Sequence, residues 1–348
     1  MTSELHRVTG EDDNRTRGWI VGAYAAAPSR TGWNPDDEAA FYDALMELPG
    51  VVGFEVPFAD TLHKVDDGWL LAQLPRTADI VVTTAPGTSD RVRASALHGL
   101  ASTDADGLSA ALRHTEASRM AIHRLNDAFG REAVLAVELH SAPPHIDGAS
   151  SGDQLLRSLE QIATWDWGGA RIVIEHCDAA IPGQKPGKGY LSLNDEIEAV
   201  ITANDSTAAG LGIGINWGRS VIEARDPDAG RAQVERVRAA GLLAGLIFSG
   251  ASDSVTRYGG AWADVHAPVA TAAAAGGTQR TDLLEPTSLL TSTRIEETLR
   301  AAGAPGPRDY RGVKVAAPPA ASVADRIAAV AASVAAVHAV AHGATTPA

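Results

Sequence analysis

Cysteine is almost absent from this sequence: Cys177 is the only one among 348 residues. A single cysteine cannot form an internal disulfide, and it cannot build a zinc site from several cysteines. The first 17 residues are polar and charged and lack the apolar segment of a signal peptide. These absences predict a cytoplasmic protein in which residues 1–17 form an N-terminal tail.

Positive charge is also scarce, because 29 Lys and Arg residues stand against 43 Asp and Glu residues and leave a formal net charge of -14. No run of Lys or Arg offsets this excess, so the chain repels nucleic acid and anionic lipid. The most apolar stretch near the C-terminus, residues 322–342, is interrupted by Asp325 and Arg326 and predicts a packed helix rather than a membrane span. We therefore expect small-molecule partners, no nucleic acid and no membrane, and we leave a homo-oligomer open.

Short β-branched runs alternate with helical patterns from residue 19 onward, and no change of composition marks a linker. Eight strand–helix units of roughly 40 residues each are the count of a TIM barrel. We predict a single (β/α)8 TIM barrel over residues 18–342, with a tail at residues 343–348; an open, doubly wound sheet is the alternative. The predicted strands cover residues 19–25, 51–57, 79–86, 134–141, 171–178, 211–217, 242–250 and 311–318.

Two connections are longer than packing requires. Residues 178–192 are rich in Gly, Pro and Lys, and residues 250–286 begin with aromatic and charged residues and then pass through the low-complexity run "ATAAAAGG". Long loops tend to be functional or disordered, and in a barrel both would lie on the C-terminal face, where active sites are built. The first half of the second loop is the better candidate for a lid.

Strand parity predicts which side chains enter the barrel. Side chains alternate between two faces, so the bulky aliphatic set should meet the helices while the other set fills the interior. Buried ionisable groups are costly unless they are paired or liganded, which makes an inward polar set a candidate active site. His176 has outward parity and is expected to be a core histidine. The inward set near the strand ends is Glu55, Glu138, His140, Glu175, Asn216, Ser249 and Lys314.

Glu138 and Glu175 lie on neighbouring strands about 4.8 Å apart, and His140 should converge with them. With Asn216 as a further oxygen, these three residues form a workable set for Mn, Mg or Zn. Without metal, one carboxyl group could act as acid and the other as base, because like charges this close raise one pKa. Lys314 would then pair with a carboxylate or stabilise an enolate or alkoxide.

The substrate is predicted to be a carbohydrate, and cations in the loops above the strands suggest that it is anionic. Glu55, Asn216 and Ser249 would contact it from the strands. The glycines of "GLGIG", residues 210–214, are expected to leave room for it, since Ile215 replaces the third glycine of a phosphate-binding fingerprint. An aromatic face would suit stacking on a sugar ring. The remaining predicted binding residues are Lys185, Lys188, Trp217, Arg219 and Arg257.

Two motifs, "VIEHCD" and "GIGINWGRS", resemble those of the xylose-isomerase-like TIM barrels, which include sugar isomerases, ketose epimerases and related metal-dependent enzymes. The stretches "IVGAYAAAPS", "VELHSAP" and "AGLIFSG" more specifically resemble an uncharacterised bacterial family, domain of unknown function 4862. Ketose epimerases of the wider group place Glu, Asp, His and Glu metal ligands on the last four strands. Here the four positions are Glu175, Asn216, Ser249 and Lys314, so the resemblance implies that any metal would need a set relocated to Glu138, His140 and Glu175.

These observations lead to one main hypothesis and two alternatives. The main hypothesis is a sugar or sugar-acid isomerase or epimerase that works by proton transfer at the C-terminal barrel mouth. Glu138 and Glu175 would be acid and base or metal ligands, His140 would orient or ligate, and Lys314 would stabilise negative charge. The alternatives are a metal-independent carbohydrate hydrolase or lyase that uses the same carboxylates, and a non-catalytic barrel that binds a sugar acid.

Overall fold

Eight parallel strands close into one barrel, in which each strand pairs with its neighbours along the chain and the first pairs with the last. The computed structural model describes residues 18–270 and 283–343. The predicted tail at residues 1–17, residues 344–348 of the predicted C-terminal tail, and most of the low-complexity run lie outside these ranges. The predicted single (β/α)8 TIM barrel is confirmed, and the open-sheet alternative is wrong because β1 and β8 are joined.

All eight predicted strands are present, although several are shorter than predicted. The first ends at Val21 because Ala23–Ala25 form a 3-10 turn. The strands are β1 (Trp19–Val21), β2 (Val51–Pro57), β3 (Asp79–Thr83), β4 (Val134–Leu139), β5 (Arg171–His176), β6 (Gly212–Asn216), β7 (Leu243–Phe248) and β8 (Tyr310–Val313).

The described ranges contain ten α-helices, which form the outer layer. Most of them begin at Asn, Asp, Ser or Thr, whose side chain accepts a hydrogen bond from a backbone N–H that the first turn leaves free. They are α1 (Pro35–Met46), α2 (Asp67–Gln73), α3 (Ala85–Ala94), α4 (Ala105–Phe129), α5 (Gly152–Ala163), α6 (Leu193–Thr207), α7 (Trp217–Ala224), α8 (Ala229–Ala239), α9 (Ser292–Ala302) and α10 (Val323–Ala341).

Two apolar layers follow the predicted parity. The main core lies between strands and helices and includes Phe54 and Val56 of β2 and the outward aliphatic side chains of β4, β5, β6 and β7. A smaller apolar cluster fills the barrel interior, and Val52, an aliphatic residue of β2 that was expected to face the helices, packs against it instead. Alternation of side chains therefore separates an apolar outer layer from an interior that is polar near the C-terminal ends of the strands. The interior apolar cluster is Ile20, Val81, Ala136, Val173, Ala244, Ile247 and Tyr310.

The last helix is the only one in the described ranges that is long and apolar enough to cross a membrane by length and composition. In this structure α10 packs against α1 and α9. Its Arg326 is buried and donates hydrogen bonds to the carbonyl oxygens of Ala26 and Ala27. The helix is thus part of the outer layer of the barrel, as its interrupted apolar pattern predicted.

Candidate active site

Six predicted inward side chains form one buried group at the upper level of the barrel, which we call the interior cluster. Each is at most 3% exposed. Hydrogen bonds and ion pairs join Glu175 to His140 and Asn216 and join Lys314 to Glu55, whereas Glu138 bonds to Tyr310 of β8. The interior cluster consists of Glu55, Glu138, His140, Glu175, Asn216 and Lys314.

Glu175 is the hub of the interior cluster. Its Oε2 atom lies 2.9 Å from Nε2 of His140 and 2.7 Å from Nη1 of Arg219, and its Oε1 accepts a 3.3 Å hydrogen bond from Asn216. Burial alone would raise the pKa of Glu175, but the Arg219 guanidinium and the hydrogen bond from His140 hold it well below its ordinary value. Burial lowers the pKa of His140, whose Nδ1 lies 3.2 Å from Oγ1 of Thr84. The pair is therefore an ionised carboxylate beside a neutral imidazole near pH 7.

The pKa of Glu138 is shifted in the opposite direction from that of Glu175. Burial, reinforced by Glu175 and Glu55, raises the pKa of Glu138 well above its ordinary value, which favours its neutral, protonated form. Its Oε1 accepts a 2.7 Å hydrogen bond from the hydroxyl of Tyr310, while Oε2 has no hydrogen-bond partner among the described residues. The two carboxyl groups thus have pKa values that burial and pairing push apart, as an acid and a base require.

The Tyr310 ring also fills the space that the interior glycines were expected to leave for a ligand. A Cβ atom on Gly245 would lie 2.4 Å from Cζ of Tyr310, and one on Gly214 would lie 3.3 Å from its hydroxyl oxygen. The prediction that the glycines of "GLGIG" make room for substrate is therefore wrong. Gly214 instead accommodates a tyrosine that supports Glu138, and a Cβ atom on Gly212 would lie 2.4 Å from Cβ of Ala244.

Lys314 and Glu55 form a second buried pair, with Nζ 2.5 Å from Oε1 and both side chains fully buried. Burial alone would lower the pKa of Lys314, but Glu55 and Tyr24 hold it well above its ordinary value. The Lys314 ammonium lies 4.9 Å from the centre of the Tyr24 ring, and the Tyr24 hydroxyl donates a 3.5 Å hydrogen bond to Glu55. Tyr24 thus covers this pair from above.

A pocket of about 720 Å³ opens at the C-terminal mouth, within the usual size range of small-molecule sites. We call it the mouth pocket. Tyr24, Arg219, Asp264 and His266 contribute to its wall, and Arg219 and Tyr24 contact the interior cluster. The members of the interior cluster themselves do not appear among its described lining residues, so they lie one layer beneath its floor.

Positive charge dominates the lining of the mouth pocket although the whole chain is acidic. Asp90 and Asp264 are the acidic residues of the described lining. Asp264 pairs with Arg219, Asp90 pairs with Arg93 on α3, and Arg326 donates its hydrogen bonds mainly to backbone carbonyl oxygens. The cationic lining consists of Arg30, Arg93, Lys188, Arg219, Arg257 and Arg326.

Predicted binding residues in the loops have different positions. Arg219, Lys188 and Arg257 line the mouth pocket, whereas Lys185 is exposed and lies outside its described lining. The backbone N–H of Lys188 donates to the buried carboxylate of Asp178, which orders this part of the loop after β5. The loop after β7 supplies Arg257 and four further lining residues, namely Tyr258, Asp264, Val265 and His266.

Trp217 does not reach the pocket. It is the first residue of α7, is fully buried, and belongs to the core between strands and helices. A Cβ atom on Gly230 would lie 2.3 Å from its Cδ1, so a glycine in α8 is needed to fit the indole. The prediction that Trp217 stacks on a sugar is corrected: it is a packing residue.

Ser249 follows β7 and is buried, but its hydroxyl lies 2.8 Å from Nδ1 of His266. His266 in turn lies 3.6 Å from Asp264 and is held at a positive φ of 52°. Ser249 therefore contacts the loop that lines the mouth pocket rather than the interior cluster.

His176 points away from the interior, as its parity predicted. Its Nδ1 lies 2.7 Å from Glu196 on α6 and its Nε2 lies 2.9 Å from Glu223 on α7. Burial alone would lower the pKa of His176, but these two carboxylates raise it to about 10. This charged group fastens the end of β5 to the helices behind it.

Sequence reasoning missed four residues of this site: Tyr24, Asp264, His266 and Tyr310. Tyr24 lies in the 3-10 turn after β1, and the next two lie in a loop without periodicity. Of these four, only Tyr310 could have been found from the sequence. It lies four residues before Lys314 in an extended segment, so both side chains point inward.

Comparison with known proteins decides the family. A model of the domain of unknown function DUF4862 matches residues 20–329. The chain belongs to the DUF4862 family. An uncharacterised protein of Salmonella typhimurium is 34% identical over 302 residues, which are 86% of this chain and 89% of the relative. The predicted family is confirmed.

Solved structures share the fold of this DUF4862 barrel. A xylose isomerase-like TIM barrel fused to a 4-hydroxyphenylpyruvate dioxygenase is 14% identical with a TM-score of 0.54; the match covers 90% of this chain and 41% of the fusion protein. The IolI protein, whose crystal structure holds a zinc atom, is 12% identical with a TM-score of 0.53, and the match covers 93% of this chain and 98% of IolI. These likenesses show that the chain shares the TIM-barrel fold of these proteins.

The DUF4862 site contains a candidate metal cluster, but not the predicted one. His140, Glu175 and Cys177 bring three potential ligand atoms within 4.8 Å of one another, whereas Glu138 is held by Tyr310 and is not part of this group. Nη1 of Arg219 lies 2.7 Å from Oε2 of Glu175 and 3.2 Å from Sγ of Cys177. Burial raises the pKa of the Cys177 thiol, whereas metals bind the thiolate. In this arrangement the donor set does not fit a metal, because an arginine cation already contacts two of the three donors.

Proposed function

We propose that this DUF4862 barrel is a cytoplasmic carbohydrate isomerase or epimerase that transfers a proton on an anionic sugar derivative, such as a sugar acid or sugar phosphate. The observation that carries the proposal is the position of the mouth pocket directly above the interior cluster. A cation-lined pocket of suitable size lies over a cluster that combines a neutral acid, an ionised carboxylate, a neutral imidazole and an ammonium group.

Isomerisation by proton transfer needs a base, an acid and a positive charge beside the developing enediolate. His140 is neutral and has Glu175 as a fixed partner, so it can accept a proton while the carboxylate stabilises the resulting imidazolium. The raised pKa of Glu138 favours its protonated form, which can return a proton. Lys314 and Arg219 supply positive charge, and no step requires a metal.

Access to the interior cluster requires Tyr24 to move. Tyr24 is half-buried, lines the mouth pocket and covers the Lys314–Glu55 pair. We therefore propose that substrate displaces the Tyr24 ring and that its reacting carbons replace the ring above Lys314.

One observation favours a second candidate function. The interior cluster is completely buried, which also suits a non-catalytic barrel that binds a sugar acid in the mouth pocket and keeps the cluster for stability. A hydrolase or lyase remains the third hypothesis, and it uses the same Glu138 and Glu175 pair.

The test is incubation of the purified protein with aldose and ketose phosphates and sugar acids in D2O, followed by NMR. Deuterium incorporation next to the carbonyl carbon is expected, with loss in Glu138→Gln and Glu175→Gln and retention in Arg231→Ala, a change on the outer face of α8. Full exchange in both carboxyl variants contradicts the proposed site. Thermal stabilisation without exchange supports the binding barrel, and release of an aglycone from activated glycosides supports the hydrolase.

A further inference from the structure

Arg219 is held at an unusual position between the interior cluster and the mouth pocket. Its Nη1 contacts Oε2 of Glu175 at 2.7 Å and Sγ of Cys177 at 3.2 Å, and its Nε lies 3.3 Å from Oδ2 of Asp264. The side chain is 3% exposed. Two carboxylates and a thiol therefore fix one guanidinium group whose plane cannot rotate freely.

These contacts coincide with the candidate metal cluster. Two of the three atoms that could ligate a cation, one on Glu175 and one on Cys177, point at the same guanidinium nitrogen, and the third belongs to His140, which shares the Glu175 oxygen. A divalent ion bound to this group would lie within contact distance of a fixed positive charge. Arg219 and a metal thus exclude each other, both by volume and by charge.

We infer that the Arg219 guanidinium fills the position between His140, Glu175 and Cys177 that a divalent cation would otherwise occupy. We further infer that this fixed positive charge binds an oxyanion in the mouth pocket. The barrel holds a fixed guanidinium where a metal could bind. The part of the inference that concerns ligand binding deepens the proposed function, whereas the part that concerns the metal is independent of it.

The third nitrogen of the guanidinium supports the role in binding. Among residues 18–270 and 283–343, the hydrogen bonds and ion pairs of Arg219 use Nη1 and Nε. Nη2 donates no hydrogen bond among these residues, yet it is not among the fully buried atoms that lack one. Because Arg219 lines the mouth pocket, Nη2 is the atom that it offers to a ligand.

Lys188 completes a receptor for one oxyanion. Its ammonium lies 3.9 Å from Oδ2 of Asp264, the same oxygen that pairs with Nε of Arg219. Asp264 therefore holds both cations at the wall of the mouth pocket. A carboxylate or phosphate group is the chemistry that two such donors recognise, and Arg219 supplies the directional hydrogen bond while Lys188 supplies a point charge.

The part of the inference that concerns the metal is tested by titration of the intact protein with Co²⁺, followed by optical absorption. Wild-type protein is expected to bind no stoichiometric Co²⁺. Arg219→Met removes the charge and is expected to bind one equivalent with a thiolate-to-cobalt charge-transfer band, which the double variant Arg219→Met/Cys177→Ala loses. Stoichiometric binding with that band in the wild type overturns the inference, as does a folded Arg219→Met protein that binds no Co²⁺. Arg219→Gln serves if the methionine variant does not fold.

The part of the inference that concerns oxyanion binding is tested by thermal denaturation, with inorganic phosphate and acetate as probes. Both anions are expected to raise the melting temperature of the wild type in a saturable manner, with the rise reduced in Lys188→Ala, abolished in Arg219→Met and unchanged in Arg231→Ala. Equal stabilisation of the wild type and Arg219→Met contradicts the role in binding, as does no stabilisation of the wild type. Neither test follows sugar conversion, so failure of the proposed isomerase activity is seen separately in the deuterium experiment.

Discussion

The ammonium of Lys314 lies 2.5 Å from a carboxylate oxygen of Glu55, and neither side chain is exposed to solvent. The second carboxylate oxygen of Glu55 has no hydrogen-bond partner among the described residues. Burying two charges requires close pairing, and removal of one leaves the other unpaired in the barrel interior. This pair therefore makes the stability of the barrel depend on a residue of the candidate site.

Lys314→Met is expected to destabilise the protein by about 3–5 kcal/mol, because Glu55 then lacks its counter-ion. The double variant Lys314→Met/Glu55→Leu should recover a large part of this loss. Urea denaturation of both single variants and the double variant measures the coupling, and Lys185→Ala, which changes an exposed lysine, is the matched control. A loss below about 1 kcal/mol, the size typical of an exposed pair, would show that the two side chains do not interact as described.

Glu138→Gln and Glu175→Gln should differ sharply in stability. The raised pKa of Glu138 favours its neutral form, so an amide is expected to replace it with a change below about 1 kcal/mol if Tyr310 keeps its hydrogen bond. Glu175→Gln leaves the buried Arg219 with fewer counter-charges and is expected to cost about 3–5 kcal/mol. Thermal and urea denaturation measure both values, and infrared absorption of a protonated carboxyl group should disappear in Glu138→Gln. Equal destabilisation of the two variants would argue against the opposite charge states.

His176 should make stability depend on pH. Its pKa in the folded protein is about 10, above the roughly 6.5 of an unfolded chain. A raised pKa contributes stability that is complete below about pH 6.5 and is lost as the pH rises through about 10. His176→Gln is therefore expected to cost several kcal/mol at pH 6 and clearly less at pH 10. Urea denaturation at both values measures the change, with the exposed His342→Gln as control; a cost that does not fall with pH would contradict the charged imidazolium.

Reversal of charge at the mouth should weaken the binding of anions. Arg257 is exposed and lines the mouth pocket. Arg257→Glu is expected to lower affinity for a sugar phosphate about tenfold, or about 1.4 kcal/mol, and to flatten the dependence of affinity on salt. Isothermal titration at two ionic strengths measures both effects. Arg231→Glu adds the same charge on an outer helix, so an equal loss in this control would attribute the effect to net charge alone.

The strands and their inward residues could be predicted because alternation is a local property of the chain. Val137 and Leu139 had to face the helices, and this alone turned Glu138 inward. The same reasoning predicted the outward position of His176. Partners could not be predicted this way, since Arg219 of α7 meets Asp264 only after the loop that follows β7 folds over the barrel.

Loop and helix-end residues were less predictable for a physical reason. Trp217 follows β6 directly, and its position suggested a site at the mouth, but the first turn of α7 rotates it behind the barrel towards Gly230. Tyr24 lies in a 3-10 turn whose side-chain direction no periodic pattern indicates. The predicted metal-ligand set of Glu138, His140 and Glu175 likewise took no account of Arg219, because the reach of Arg219 from α7 to Glu175 depends on tertiary structure.

Consecutive residues at the end of β5 carry two acid–imidazole pairs on opposite faces of one strand, with Glu175 bonded to His140 inside and His176 bonded to Glu196 outside. A shift of β5 by one residue would place an imidazolium beside Arg219 or a carboxylate beside Glu196 and Glu223. Misalignment is thus penalised twice, once on each face. The charged groups at Glu175 and His176 therefore also help to fix the register of β5 in the folded barrel.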